Sequence, residues 1–374
     1  MKNEKVYVYI GRFQMAHKGH EATIKHAIEQ ADRLVILVGS SDLARDSKNP
    51  FTFTERKQVL EAMSQRLAQV EWAKGRSVKI DILPIHDYVY NNGKWLMEVH
   101  EQVKSVTGSE NIFITGCQKE ADESTFYLNF FPQWNQDFIP EQKTTEVQNR
   151  TVEHKDYTEH HSSKVHSTIN STAVRNQFFS TKQIPEELPE ETKEFLAKFI
   201  QTKPSVLDLI VEEFNFVQRY RSQMNEQLPY NNIPFLTGDA LVVSAGHVLL
   251  VKRRTFPGKG LWALPGGFFD AWQDKEQLDT ALRELKEETK IDVPEKVLRG
   301  SVRSVTEFGD FNRSLRWRII TKCAYIQLPD NSLPKVKGSD DAEKAFWVPL
   351  GELKKNRHMF FEDHYSILDQ LLNL

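Results

Sequence analysis

The chain has 374 residues, with 39% hydrophobic and 27% charged residues and a formal net charge of −3. That composition is too rich in core formers for a disordered chain, and it gives no global basic field to argue for nucleic acid. Two cysteines far apart offer neither a disulfide framework nor a paired metal-ligand spacing, and no apolar run reaches the roughly 18 residues of a membrane span. At roughly 100–200 residues per domain, two domains are expected. A reducing, cytoplasmic setting is expected, with no membrane or nucleic-acid partner; a homo-oligomer is compatible with the sequence.

Four short apolar runs, Val6–Ile10, Leu34–Val38, Ile80–Ile85 and Ile112–Thr115, read as strands buried on both faces because they lack strict alternation. The first runs into Gly11, the second into Gly39-Ser40-Ser41, and the fourth is expected to stop at Gly116. Helical patterns lie between them at Glu21–Gln30, Thr54–Ala68 and Trp95–Val106. The alternation predicts an α/β fold with a Rossmann-like, doubly wound parallel sheet. Ligands of such sheets bind outside the carboxyl ends of the strands, so the glycine-terminated ends are where chemistry is sought.

Residues 141–168 are polar and carry His154, His160, His161 and His166. Their spacing fits no tetrahedral metal pattern, so a mobile polar loop is expected. A helical, proline-broken connector follows. Near Pro234 a second unit begins, strands first (Ala240–Val243, Val248–Val251), then an amphipathic helix at Glu276–Thr289. Further strands are expected at Ile319–Ile326 and Ala345–Val348, and a last helix at His364–Leu372. That order predicts an α+β domain. The expected division is 1–185, a connector at 186–232, and 233–374.

The segment Gly11-Arg12-Phe13-Gln14-Met15-Ala16-His17-Lys18-Gly19-His20 leaves a buried strand and opens a helix. Glycine at the turn allows close backbone approach to a phosphate, and a helix N-terminus favours anions. His17 and His20 stand where they can donate to a triphosphate and stabilise charge that develops on transfer. Alone, the pair reads equally well as a capping histidine and a helix-entry glycine. A second piece, Ser171-Thr172-Ala173-Val174-Arg175, reads as a capped helix start that brings an arginine to phosphate.

Together the two pieces resemble the H-x-G-H and S-T-x-x-R signatures of the nucleotidylyltransferase superfamily. Over about residues 5–180 the chain is similar to archaeal-type nicotinamide mononucleotide adenylyltransferases, especially those fused to a Nudix domain. Supporting residues are Lys48–Thr52 with Glu55 and Arg56, Asp87–Asn91 with Trp95, Gly116–Glu120, Phe126–Leu128 and Phe131–Trp134. The resemblance implies that His17, His20 and Arg175 contact the ATP phosphates and that Trp95 stacks on the nicotinamide ring. A cationic pyridinium suits an aromatic face; ordinary helix–sheet packing is the plain alternative. Candidate substrate-binding residues are Gly11, Arg12, Phe13, Lys18, Gly19, Asp87, Tyr88, Trp95, Gly116, Lys119, Ser171 and Thr172. Departures from the family are Met15-Ala16, where Pro-Phe is usual, and Cys117 and Glu120, where His and Asp often stand. The implied reaction joins ATP and nicotinamide mononucleotide into NAD, with Mg²⁺ bridging phosphates; an adenylyl or cytidylyl transferase for another phosphorylated substrate is the rival.

In the second half, Glu284, Glu287 and Glu288 stand at i, i+3 and i+4, sharing one helix face shortly after Pro265-Gly266-Gly267. Three facing carboxylates repel one another unless divalent cations lie between them, and hard oxygen ligands suit Mg²⁺ or Mn²⁺. The segment resembles the Nudix box, over about residues 235–374. The family makes these glutamates metal ligands and has Arg283 orient one of them; Gly267 and Arg283 join the candidate binding residues. Here the box departs: its first glutamate position falls on Lys275, with Glu276 or Asp274 able to take its place, the segment from Gly267 to Arg283 is two residues longer, and its late glycine is Lys290. The Asn312–Arg316 and Asp340–Glu343 stretches resemble ADP-ribose pyrophosphatases, which implies cleavage of ADP-ribose to AMP and ribose 5-phosphate. Glu343 is either an assisting base or an exposed loop acid. A half that senses ADP-ribose or NAD without cleaving it is the alternative.

Overall fold

The computed structural model describes residues 4–118, 129–140, 143–153, 158–168, 170–228, 233–329 and 332–374. The chain forms two compact units. The first comprises Met1–Ser41, Phe51–His86 and Trp95–Leu207; the second comprises Asp42–Pro50, Asp87–Lys94 and Asp208–Leu374. The second unit thus takes two short segments from the stretches that follow the second and third strands.

The first unit runs β1 (Val6–Gly11), α1 (Lys18–Gln30), β2 (Arg33–Val38), α2 (Phe53–Ala73), β3 (Lys79–Pro84), α3 (Asn92–Val106), β4 (Ile112–Gln118) and β5 (Asn135–Pro140). The five strands form one sheet in the order β3-β2-β1-β4-β5, every pair parallel. The period of two along β1 and β2 explains the double burial. Tyr7, Tyr9, Leu34, Ile36 and Val38 join the core containing Ile24, Ile28, Leu60 and Met63 from α1 and α2. Val6, Val8, Ile10, Val35 and Leu37 join the opposite core with Val99 and Val103 of α3. Truncating one such side chain to alanine costs about 2–5 kcal/mol.

β4 does not stop at Gly116: the glycine is buried inside the strand, opposite Phe138 of β5. Residues 141–168, expected as a mobile loop, instead contain β6 (Lys143–Glu153) and β7 (Thr158–Thr168), paired antiparallel over their whole length. Thr144, Thr145, Val147, Thr151 and Val152 are β-branched, a strand preference that the polar composition hid. His154 and Lys119 lie outside the described residues. Then come α4 (Ser171–Thr181), α5 (Glu190–Thr202) and α6 (Pro204–Gln227). The boundary between units falls within α6, so the expected connector is shared between them.

The second unit contains β8 (Phe235–Ser244), β9 (His247–Arg253), β10 (Trp262–Ala263), β11 (Gly266–Phe268), α7 (Gln277–Thr289), α8 (Glu295–Gly300), β12 (Val302–Phe308), β13 (Ile319–Gln327), β14 (Ala342–Pro349), α9 (Leu350–Leu353) and α10 (His364–Leu372). Its sheet has the order β10-β9-β8-β13-β12, with β11 on β8 and β14 on β9. β13 runs parallel to β8 and the other pairs are antiparallel. Ala240 and Val242 face the core under α7, formed with Ala281, Leu282 and Leu285. Leu241 and Val243 face a second core with Tyr365, Ile367 and Leu368 of α10. Among the described residues no helix is long and apolar enough to cross a membrane.

Candidate active sites

In the first unit, β1 delivers the chain at Gly11 into a short loop that ends at His17, the N-cap of α1. Phe13 and Met15 both adopt positive φ, at 51° and 64°. Such backbone costs a non-glycine residue about 1–3 kcal/mol and persists only where its surroundings over-determine it. Here they do. The Gln14 amide bonds the Phe51 backbone twice, Nε2 donating to the carbonyl and Oε1 accepting from the N–H, each at 3.0 Å. The Ala16 carbonyl accepts from Thr192 Oγ1 at 2.8 Å. Buried Arg56 donates to the carbonyls of Arg12, Gly39 (2.6 Å) and Ser40 (2.8 Å), tying the ends of β1 and β2 together. The space over Gly11, expected for a phosphate, holds the Phe13 ring: a Cβ on Gly11 would stand 2.9 Å from it.

The two histidines combine both readings of their motif. His17 Nδ1 accepts from the Gly19 N–H, and His20 Nδ1 accepts from the His17 N–H, each at 3.1 Å, forming a capping box. Because each Nδ1 is an acceptor, each neutral ring carries its proton on Nε2. The rings lie 3.9 Å apart between centroids. Two ring donors thus sit at the positive end of α1, where a negative charge is favoured. Lys18 and Arg12 are exposed beside them.

Arg175 joins the second motif to the first. Its buried guanidinium donates to the Gln14 carbonyl (Nη1, 3.0 Å) and to Thr172 Oγ1 (Nη2, 3.2 Å). The cap of α4 is Asn170, whose side chain accepts from the Ala173 N–H at 2.7 Å, not Ser171 or Thr172. Trp95 is half-buried on α3 and packs obliquely on Phe131, with ring centroids 5.9 Å apart. Near it, His86 is held through its N–H (3.1 Å) and its ring Nδ1 (2.5 Å) by Glu98. Sequence reasoning passed over His86 and Glu98, since neither belongs to a motif. Asp87 and Tyr88 fall in the second unit, where the Asp87 carbonyl accepts from Arg357 Nη2 at 3.1 Å and the Tyr88 ring lies 5.2 Å from the same guanidinium.

In the second unit, β11 carries Gly266 and Gly267 against α7. The Gly266 N–H donates to Glu288 at 3.0 Å, and a Cβ on Gly267 would stand 2.4 Å from Glu284 Oε1. A side chain there would displace the carboxylate. Arg283 Nη1 donates to Glu284 (2.7 Å) and Glu287 (3.2 Å), and its Nη2 to the Phe268 carbonyl at 3.1 Å. Burial pushes the Glu288 carboxyl up to about 8, with the Glu284 charge adding to it, and burial raises Glu284 as well. Carboxylates gathered on one helix face are hard oxygen donors of the kind a divalent ion takes. Among the described residues, no group of three or more His, Cys, Asp or Glu side chains is already drawn together around a metal position. Arg283 holds two of the three glutamates meanwhile.

Residues 8–176 match the cytidylyltransferase-like family model, and residues 236–371 match the NUDIX domain model. The nicotinamide/nicotinic acid mononucleotide adenylyltransferase of Acinetobacter baylyi is 28% identical over 222 residues, 59% of this chain and 96% of that protein. The crystal structure of a bifunctional NMN adenylyltransferase/ADP ribose pyrophosphatase from Francisella tularensis is 31% identical, with a TM-score of 0.82 and 99% of each chain covered. The chain belongs to this bifunctional family. A second structure of the Francisella protein, complexed with AMP and a manganese ion, matches with a TM-score of 0.80 and 30% identity, again over 99% of each chain.

Within this bifunctional family member, the departures from the Nudix pattern have local explanations. The first glutamate position is Lys275, but Asp274 takes up Arg283, accepting from Nε at 3.1 Å and Nη2 at 2.9 Å. Thr280 Oγ1 (2.9 Å) and the Asp270 N–H (3.0 Å) hold the same carboxylate, and the Arg283 bonds bring it down to about 2. Glu276 does other work, capping α7 together with Asp279. Lys290 ends α7 at φ 44°, the left-handed backbone a glycine would supply. Arg313 is paired with Asp363, Nε–Oδ2 at 3.0 Å and Nη2–Oδ1 at 3.1 Å, and Tyr90 Oη donates to the same carboxylate. Ser314 donates to Glu362 at 2.7 Å. Glu343 is exposed on β14 and paired with Lys252 at 3.1 Å.

Proposed function

We propose that this protein transfers AMP from ATP to nicotinamide mononucleotide, giving NAD and pyrophosphate, and hydrolyses ADP-ribose to AMP and ribose 5-phosphate. The observation that carries the reading is the end-to-end likeness to the bifunctional Francisella enzyme, in a chain that carries His17, His20 and Arg175 in one half and Glu284, Glu287 and Glu288 in the other. In the first reaction a 5′-phosphate oxygen attacks the α-phosphorus of ATP, the bond to the bridging oxygen breaks, and pyrophosphate leaves. No covalent enzyme intermediate is needed, so catalysis is positioning and charge stabilisation. The Nε2–H groups of His17 and His20 serve as the donors, Arg175 fixes the loop and adds its charge, and the half-buried Trp95 offers a face to the pyridinium.

In the second reaction water attacks one phosphorus of the diphosphate and gives up a proton to solvent, the bond from that phosphorus to the bridging oxygen breaks, and the other phosphate monoester leaves with that oxygen. Mg²⁺ or Mn²⁺ would be held by Glu284, Glu287 and Glu288 and would supply charge neutralisation and water activation. Asp274 and Lys290 support hydrolysis over mere sensing, because each restores locally what the altered box position lacks. Two free thiols accord with a reducing, cytoplasmic setting.

The test is to supply ATP with nicotinamide mononucleotide, and separately ADP-ribose, to the purified chain with Mg²⁺ and with Mn²⁺. NAD formation lost in His20→Ala, and AMP release lost in Glu287→Gln, each with the other activity kept, is the expected result. AMP release undiminished in Glu287→Gln would sink the hydrolase assignment.

A further inference from the structure

Arg253 closes β9 with its backbone fixed on both sides: its N–H donates to the Leu261 carbonyl at 2.9 Å, and its own carbonyl accepts from the Gly260 N–H at 2.8 Å. The side chain lies along the Phe361 ring, with the guanidinium carbon 4.2 Å from the centroid, and Nε donates to the Pro257 carbonyl at 2.9 Å. This uses one face and one nitrogen. Among the described residues, Nη1 and Nη2 make no hydrogen bond and no carboxylate comes within ion-pair distance. Nevertheless the charge is partly withdrawn from water, and burial, joined by the charge of Arg316, lowers its affinity for the proton.

A half-buried guanidinium with its two terminal nitrogens unused is unfavourable by itself, and an anion relieves it. The chain's own carboxylates do not serve. Glu288, Glu362 and Asp341 act on Arg253 only through longer-range charge. Strand pairing sets Arg253 near the end of α7 that carries Glu288: Arg253 stands opposite Ala342 of β14, the Ala342 N–H donates to the Ser339 carbonyl at 3.0 Å, and the Ser339 N–H donates to the Glu288 carbonyl at 2.9 Å. Two parallel N–H donors in a rigid plane match two oxygens of one phosphate.

We propose that Arg253 is a diphosphate-binding residue of the second unit, its Nη1 and Nη2 taking the oxygens of one phosphate of a nucleoside diphosphate sugar. The inference rests on the hydrolase reading above and names a group that grips the substrate's charge. Phe361 is then the seat that holds the guanidinium plane, and the Pro257 carbonyl sets its rotation.

The experiment uses the full chain, with ADP-ribose as the probe, in Arg253→Gln and Arg253→Lys. Arg253→Gln is expected to raise KM for ADP-ribose by about tenfold or more, with kcat changed less. Arg253→Lys, which keeps the charge without the fork, should recover part of that loss, and NAD formation should stay at the wild-type level. Calorimetric titration of ADP-ribose into Glu287→Gln and into Glu287→Gln/Arg253→Gln reads affinity without turnover. It therefore tests the inference even if wild type releases no AMP, a result that would count against the hydrolase reading alone. Equal affinity in the two proteins, or an unchanged KM with only a lower Tm, would overturn the proposal and leave Arg253 as a packing partner of Phe361.

Discussion

Asp274 grips Arg283 through both carboxylate oxygens, Oδ1 accepting from Nε at 3.1 Å and Oδ2 from Nη2 at 2.9 Å. Arg283 in turn reaches Glu284 and Glu287. Asp274 is therefore a positioning residue for Glu284 and Glu287, acting on both through the one intervening side chain of Arg283. Asp274→Asn weakens two charge-assisted bonds, each worth about 1.5–3 kcal/mol. The expected outcome is a fall of about tenfold or more in AMP release from ADP-ribose, with NAD formation unchanged. Glu276→Gln, which touches only the helix cap, should hydrolyse as wild type; if it fails and Asp274→Asn does not, the assignment is reversed.

His17 caps α1 and is also proposed to donate from Nε2, and one substitution separates the two jobs. Asparagine is a good N-cap but has no equivalent of the outer ring nitrogen. His17→Asn is expected to keep Tm within a degree or two while lowering NAD formation by about 10². Loss of stability matching the loss of activity would reduce His17 to a cap.

Glu213 on α6 is buried, accepts a long bond from the Gly258 N–H (3.4 Å), and is pushed up to about 7 by burial and then by the charge of Asp46. The folded protein thus binds this proton more tightly than the unfolded chain. Stability contributed by the neutral carboxyl is full below the ordinary glutamate range and declines as pH rises to about 7. Glu213→Gln removes the decline. Thermal unfolding should show the variant gaining on wild type between pH 5 and pH 7.5, by at most about 3 kcal/mol. A difference in Tm that does not change with pH would contradict this.

Lys290 holds a left-handed backbone at the end of α7. A side chain there costs about 1 kcal/mol or more that glycine avoids. Lys290→Gly should raise Tm by a few degrees and leave ADP-ribose hydrolysis unaltered; a lower Tm would show that the lysine side chain contributes more than the strain removes.

The apolar strands β1 to β4 and the amphipathic α7 were readable because double burial and helical spacing both leave a periodic trace in the sequence. β5 was not: Asn135–Pro140 opens with three polar residues and lies at a sheet edge with a single buried side chain, Ile139, so its pairing with β4 leaves no hydrophobic pattern. β6 and β7 were missed because a polar composition outweighed their β-branched residues. At the sites, motif residues were found but their supports were not. Gln14 and Arg56 act through backbone carbonyls distant in sequence, and a hydrogen bond to a carbonyl selects no particular partner residue. Asp274 was one of two candidates for the role at Lys275; only the turn made by Asp270 and Thr280 decided between them.

The second unit includes Asp42–Pro50 and Asp87–Lys94. Through them Asp42 pairs with Arg357 at 3.2 Å, Lys94 with Asp369 at 3.0 Å, and Tyr90 reaches Asp363. These pieces lie inside the span that matches the cytidylyltransferase-like model. A gene cut between the two halves would therefore deprive the hydrolase of residues encoded in the transferase, leaving buried Asp363 and Arg357 each short of a partner. A cassette carrying the hydrolase alone would therefore need Asp42–Pro50 and Asp87–Lys94 supplied with it.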